Sequence, residues 1–189
     1  MSDRTRWNAR YLSRTGPSAA PRDWLLRHQS LLPAPGLALD AAMGLGGSAG
    51  WLVERGWRVL GLDVSEVAVR QAKARWPRLL AAVADLQRLP LAPSQPADFD
   101  LILDFYYLDR ALWPWFRRAL RPGGLFIMET FVRSPASEAA GVNPAFLLEP
   151  GELRAAFADW PVLDYREAEG GAHGGGGRLV AGLVARRPV

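Results

Sequence analysis

Short apolar runs alternate with amphipathic stretches along the chain, and their order predicts most of the fold. Gly36-Leu37-Ala38-Leu39 is an apolar run ending at Asp40, and Gly44, Gly46 and Gly47 follow it. Ala49-Gly50-Trp51-Leu52-Val53 then reads as the apolar face of a helix. Strand, glycine turn and helix make the front edge of a βαβ unit. Arg58 to Asp63 reads as a second strand, followed by a helix from Val67 to Arg75 that Ser65 and Glu66 start and Pro77 closes. Leu79 to Ala84 is a third strand. Phe99 to Asp104, nearly all apolar, suits a strand covered on both faces. Leu120 to Phe131 holds a turn and a fifth strand, Pro161 to Ala168 a sixth and Arg178 to Arg186 a seventh. Helices are expected over Pro21 to Leu32, Arg110 to Leu120 and Glu152 to Trp160. Arg133 to Pro150 shows no periodicity and reads as a long insertion. The glycine-rich hairpin Glu169 to Gly177 makes the last strand antiparallel to its predecessor.

The expected fold class is therefore α/β, a Rossmann-like single domain over residues 17–189. Its seven-stranded sheet is mostly parallel, the last strand antiparallel, with helices on both faces. Residues 1–16 read as an N-terminal arm or lid, with Trp7, Tyr11 and Leu12 at helical spacing among arginines and Gly16-Pro17 as its end.

Composition narrows the function. The chain has 189 residues, 49% hydrophobic and 22% charged, which describes an ordinary globular domain. No apolar run is long enough to span a bilayer, and the basic N-terminus lacks the apolar core of a secretory signal, so a cytoplasmic address is expected. Cysteine is absent, which removes disulfides, thiolate metal sites and cysteine nucleophiles; with only His28 and His173, no metal centre is expected. The net charge of +4 comes from arginines scattered singly, with Lys73 the one lysine. That pattern reads as a general arginine bias rather than a nucleic-acid face.

The candidate chemistry lies at the predicted strand ends. Glycines at 44 and 46 permit backbone angles closed to other residues and let a ligand approach bare main chain. Gly44-x-Gly46-x-x-Ala49 also satisfies the loose dinucleotide pattern, so glycines alone do not name the ligand. Asp40, four residues before Gly44, suits a cationic group and would repel a pyrophosphate. S-adenosylmethionine, with its ammonium, carboxylate and sulfonium, can use both the acid and the helix start. Asp63, 19 residues after Gly44, stands where an acid takes both hydroxyls of a ribose.

At these residues the chain resembles the class I S-adenosylmethionine-dependent methyltransferases, whose first motif runs Asp-x-Gly-x-Gly-x-Gly. Asp40, Gly44 and Gly46 match, while Ala42 stands at the first glycine. A negative φ at Ala42 would make that departure mild. The resemblance extends to Asp85-Leu86, where the family clamps adenine, and to the Arg-Pro-Gly-Gly turn before the fifth strand. It implies a cofactor set of Asp40, Gly44, Gly46, Asp63, Val64, Asp85, Leu86 and Asp104. Over Leu39 to Arg187 the chain is similar to the small tellurite-resistance-type branch, on FLLEPGELRAAFADWPVLDYREAEGGAH and the terminal LVARRP. That branch implies a histidine and a basic residue near the acceptor, here His173 and, by position, Arg178.

The reading is a methyltransferase acting on a small acceptor, such as a thiol or a tellurium or selenium oxyanion, as a monomer or homodimer. Tyr106, Tyr107 and His173 are the candidates for acceptor positioning. The sixth strand is expected to run parallel to the fourth and finish beside it, bringing His173 to the same space. Three alternatives stay open: a nucleic-acid methyltransferase, for which Asp104-Phe105-Tyr106-Tyr107 lacks both prolines of Asp-Pro-Pro-Tyr; a nicotinamide oxidoreductase; and a non-catalytic cofactor-binding protein.

Overall fold

Short apolar strands separated by helices, as along the first five, leave each strand edge to pair with a strand distant in sequence. In the computed structural model, which describes residues 2–13, 18–88, 98–170 and 177–189, the strands are β1 (Leu37–Ala41), β2 (Arg58–Asp63), β3 (Leu80–Val83), β4 (Phe99–Phe105), β5 (Leu120–Phe131), β6 (Val162–Glu169) and β7 (Leu179–Arg186). They form one sheet in the order β3-β2-β1-β4-β5-β7-β6. Strands β1 to β5 pair in parallel, and β7 runs antiparallel to both β5 and β6. The strand order reverses between β1 and β4, the topological switch point where open sheets of this kind bind ligands.

The helices are α1 (Asp3–Leu12), α2 (Asp23–Arg27), α3 (Gly47–Val53), α4 (Glu66–Arg75), α5 (Trp113–Ala119), α6 (Pro135–Ala139) and α7 (Glu152–Ala156). One core lies under α2, α3 and α4, where Trp24, Leu25, Leu52 and Val69 meet Leu101, Leu103 and Ile127. The other lies under α5 and α7, where Phe116 and Phe157 close on Phe126 with ring centroids 5.6 and 5.0 Å away.

Three predicted helices are shorter than their apolar spacing suggests. The stretch 21–32 is α2 followed by a 3-10 turn, Gln29–Leu31, because His28 leaves helical backbone angles (φ −105°, ψ 17°). The stretch 110–120 opens with a 3-10 turn, Arg110–Leu112, capped by Asp109, and Leu120 ends it as the first residue of β5. In 152–160 only α7 is helical; Phe157 and Trp160 still pack into the core. The 133–150 insertion holds α6, started by a Ser134–Ser137 capping box, and a 3-10 turn, Pro144–Phe146. Arg110 ties it down, pairing with Glu152 and donating to the carbonyl of Leu147 at 3.0 Å.

One expectation is corrected. β6 is parallel to β4 but does not finish beside it: β5 and β7 lie between them and β6 is the far edge of the sheet. The glycine hairpin therefore starts at the right end of the sheet, two strands further out. Residues 89–96, which read from their prolines as a surface loop, lie outside the described residues.

His28 links α2 to that edge strand. Its Nδ1 lies 2.8 Å from the Trp24 carbonyl and its Nε2 2.7 Å from Asp164 Oδ2, with its ring edge-on to Trp24. The His28 bond holds the Asp164 carboxyl below its ordinary range. Stability from Asp164 is therefore present above the ordinary carboxylate value and fades as pH falls through the lower folded one. His28→Ala removes both bonds and leaves a small cavity. The expected loss in urea denaturation is about 2 kcal/mol; an unchanged midpoint and slope would show the link to be idle.

Candidate functional site

The carboxyl ends of β1, β2 and β4 open into a cavity of about 530 Å³. Its floor carries Asp40, Ala42, Met43, Gly44, Asp63, Val64, Asp85 and Leu86, and its far wall Phe105, Tyr106, Tyr107, Phe131 and Arg178. Asp3, Trp7, Arg10 and Tyr11 of α1 line it from above. Of the residues expected from sequence, Asp40, Gly44, Asp63, Val64, Asp85, Leu86, Tyr106 and Tyr107 come together here. Gly46 and Asp104 are not among the lining residues. Gly46 (φ +74°) turns the loop beneath, against Ala72 and Leu79. Asp104 is fully buried in the sheet end, its carboxyl pushed well up by burial and by the Asp40 charge. His173 lies outside the described residues.

Asp63 organises the floor. Its Oδ2 accepts the Gly44 N–H and its Oδ1 the Ser65 N–H, each at 2.8 Å. The carboxylate thus fixes the glycine loop and the start of α4 at once. Ser65 caps α4 by accepting the Ala68 N–H and donates from Oγ to Asn8 Oδ1 at 2.6 Å, which seats α1 over the site. Gly44 has φ +57°, and a side chain there would meet the Tyr11 hydroxyl at 2.8 Å, so the loop and α1 fit only around a glycine. Asp85 accepts the Gln87 N–H at 3.1 Å, and Leu86 beside it is buried.

Ala42 has φ +52°. The departure from glycine at this position is therefore not mild: a residue with a Cβ sits in the left-handed region, at a cost on the order of 1–2 kcal/mol. Tyr106 is the one other described non-glycine residue with positive φ, +61°. Both strained residues line the cavity, each one residue beyond the end of its strand, and strain of this kind clusters at ligand sites.

Asp40 is 2% exposed. Burial raises its carboxyl to about 7, against the opposing pull of Arg22 and the Ala49 N–H. Its Oδ2 has no hydrogen-bond partner among the described residues. A buried acceptor left open at a cavity wall calls for a donor from a ligand. The residues fit an S-adenosyl cofactor: an open carboxylate for an ammonium, an acid with spare lone pairs for a ribose, and an acid followed by an apolar residue for adenine.

Sequence reasoning missed the second tier. Arg22 stands over the Tyr106 ring at 5.0 Å and Phe131 packs on its side at 4.9 Å, while Arg178, the basic residue the resemblance implied near the acceptor, lines the cavity and covers Phe131 at 4.1 Å. The Tyr106 hydroxyl donates to Glu129 Oε1 at 2.6 Å, and Glu129 Oε2 accepts from Arg166 at 2.7 Å. Burial and Glu129 together push the Tyr106 phenol well up, so it keeps its proton. A glutamate two residues before the end of an apolar strand was the available signal for this network.

Sheet order, switch point and cavity are those of the class I methyltransferase fold. Residues 38–124 match the family described as "Methyltransferase domain". A probable S-adenosylmethionine-dependent methyltransferase of Mycolicibacterium smegmatis is 32% identical over 130 residues, 62% of this chain and 49% of that one. The chain spans about half the length of the curated relatives it matches. Among solved structures, a protein studied for the conversion of a disulfide bond into a thioacetal group during echinomycin biosynthesis aligns over 99% of this chain and 93% of its own, with TM-score 0.73 and 22% identity. TehB of Haemophilus influenzae aligns over 87% of this chain and 61% of its own, with TM-score 0.69 and 20% identity. At these identities the structures speak for the fold.

The raised Asp40 carboxyl has a consequence for stability. An acid whose folded pKa lies above its unfolded one contributes most at low pH and loses that contribution progressively as pH rises from its ordinary value of 3.8 through about 7. Asp40→Asn carries no charge to desolvate. In urea denaturation without ligand the variant should be the more stable protein at pH 8, by on the order of 1–4 kcal/mol, with the gap narrowing as pH falls below about 7 and closing only near the ordinary carboxylate value of 3.8. A wild type that stays the more stable at pH 8 would contradict the burial argument.

Proposed function

We propose that the protein is an S-adenosylmethionine-dependent methyltransferase acting on a small-molecule acceptor. The observation that carries the reading is the buried, unpartnered oxygen of Asp40 beside a glycine loop pinned by Asp63. When bound, the cofactor supplies a methyl group on a positively charged sulfur, already activated for in-line displacement. What the chain adds is alignment and exclusion of water, and alignment alone is worth roughly 7–11 kcal/mol of a barrier.

In this reading Asp40 holds the ammonium, Asp63 the ribose hydroxyls, and Asp85 with the Leu86 backbone the adenine. Asp104, buried at the neighbouring strand end, belongs to the same cluster of acids, and its raised carboxyl leaves the charge of that end to Asp40. Tyr106 and Tyr107 position the acceptor. His173 serves the same end from the β6–β7 hairpin, a role supported by Arg178 at the root of that hairpin lining the cavity. Residues 1–16 act as a lid; the support is α1, whose Trp7 and Tyr11 stack at 5.7 Å and roof the site. The acceptor classes carried by the sequence resemblance are thiols, tellurium or selenium oxyanions and other small nucleophiles, handled in the cytoplasm.

Calorimetry with S-adenosylhomocysteine and with an oxidised nicotinamide dinucleotide tests the cofactor. The adenosyl compound should bind and the dinucleotide should not. Asp63→Ala loses charge-assisted hydrogen bonds worth about 1.5–3 kcal/mol, so affinity should fall about tenfold or more. Tight dinucleotide binding without an adenosyl response contradicts the proposal.

A further inference from the structure

Tyr106 is held from several sides in a backbone conformation that a tyrosine disfavours. Its N–H donates to the Glu129 carbonyl at 2.8 Å and its hydroxyl to Glu129 Oε1 at 2.6 Å. Phe131 and Arg22 bracket its ring. Glu129 is 5% exposed, and its second oxygen is taken by Arg166, which itself lies 4.6 Å over the Trp24 ring. Arg22 also acts on Asp40 through its charge, but the Tyr106–Glu129–Arg166 series itself makes no hydrogen bond to Asp40, Asp63 or Asp85 among the described residues, and the cofactor reading leaves it unexplained.

The direction of the Tyr106–Glu129 bond follows from its partners. A carboxylate paired with a guanidinium has no hydrogen to give, so the phenol donates. A phenol has one hydrogen. Tyr106 lines the cavity; once that hydrogen is committed to Glu129, its oxygen can offer a ligand only lone pairs, and the carboxylate that takes the hydrogen strengthens them as acceptors.

We propose that Tyr106 selects methyl acceptors that donate a hydrogen bond, that is O–H, N–H or S–H nucleophiles, and that Glu129 is the positioning residue that sets this polarity. The inference rests on the methyltransferase reading and narrows its acceptor. A thiol meets the requirement. A fully ionised oxyanion sets lone pairs against lone pairs and is disfavoured at this atom. An anion drawn instead by Arg22 and Arg178, which share the wall, is the competing occupant.

The test uses the full chain saturated with S-adenosylhomocysteine, titrated calorimetrically with phenol, toluene and benzoate. These share a ring; phenol donates a hydrogen bond, toluene offers none and benzoate is an anion. Phenol should bind at least about fivefold more tightly than the other two. Glu129→Gln places an amide behind Tyr106; its N–H can donate to the phenol oxygen and release the hydroxyl hydrogen toward the cavity. In that variant the preference for phenol should vanish while affinity for S-adenosylhomocysteine stays within about twofold. A merely structural Glu129 would lower stability and leave the preference in place. Tyr106→Phe should lose the preference too, and it decides the matter if the glutamine variant does not fold. Toluene or benzoate matching phenol on the native protein, no ring probe binding while S-adenosylhomocysteine does, or a preference that survives substitution overturns the inference. Failure of S-adenosylhomocysteine itself to bind overturns the methyltransferase reading beneath it.

Discussion

Two carboxylates kept out of water at neighbouring strand ends set the terms for the rest of this molecule. They are treated unequally. Asp63 is satisfied from within, by the N–H groups of Gly44 and Ser65, and so becomes a structural pin as well as a site residue. Through Ser65 and Asn8 the same chain of hydrogen bonds reaches α1, so loop, helix start and roof are one assembly. Asp40 is left short. It has the Ala49 N–H and the field of Arg22, but one buried oxygen has no partner among the described residues. The fold tolerates that cost at the switch point, where a ligand can remove it.

The opposite wall follows a different logic. There the polar groups are linked in series, Tyr106 to Glu129 to Arg166, with rings of Phe131 and Trp24 packed against them; only Arg166 Nε in that series lacks a partner among the described residues. With both Glu129 oxygens taken, the network leaves little freedom to the Tyr106 hydroxyl, and the strained backbone of Tyr106 is tolerable because hydroxyl, ring and N–H are all held. One side of the cavity thus waits for a cation, and the other presents a tyrosine oxygen of fixed polarity. The arginines serve this architecture too. Arg110, Arg117, Arg121, Arg133 and Arg166 each pair with an acid. Several others stack on rings, as Arg55 does on Trp51 and Arg75 on Trp76.

Strand periodicity was legible because both faces of the central strands are covered. Runs such as Arg58–Asp63 and Phe99–Asp104 read as strands, and Asp63 at the end of the first pointed to the cavity floor. Helix lengths were less legible. The break at His28 depends on Asp164, 136 residues away, and no local pattern carries that information. The left-handed Ala42 was hidden for a related reason: alanine is a poor indicator of positive φ, and only the surrounding loop imposes it. Glu129 could be located at a strand end, but its link to Tyr106 needs the β4–β5 register, in which Phe105 stands opposite Glu129. Pairwise contacts across a sheet are what a linear pattern leaves out, and the far wall is built from them.

The most direct test of this account is a crystal structure of the protein with S-adenosylhomocysteine. The account predicts the amine of the ligand on Asp40 Oδ2, the ribose hydroxyls on Asp63, the adenine beside Asp85 and Leu86, and the sulfur facing the Tyr106 wall. A ligand whose amine lies away from Asp40, leaving that oxygen buried and unpaired in the complex, would contradict it.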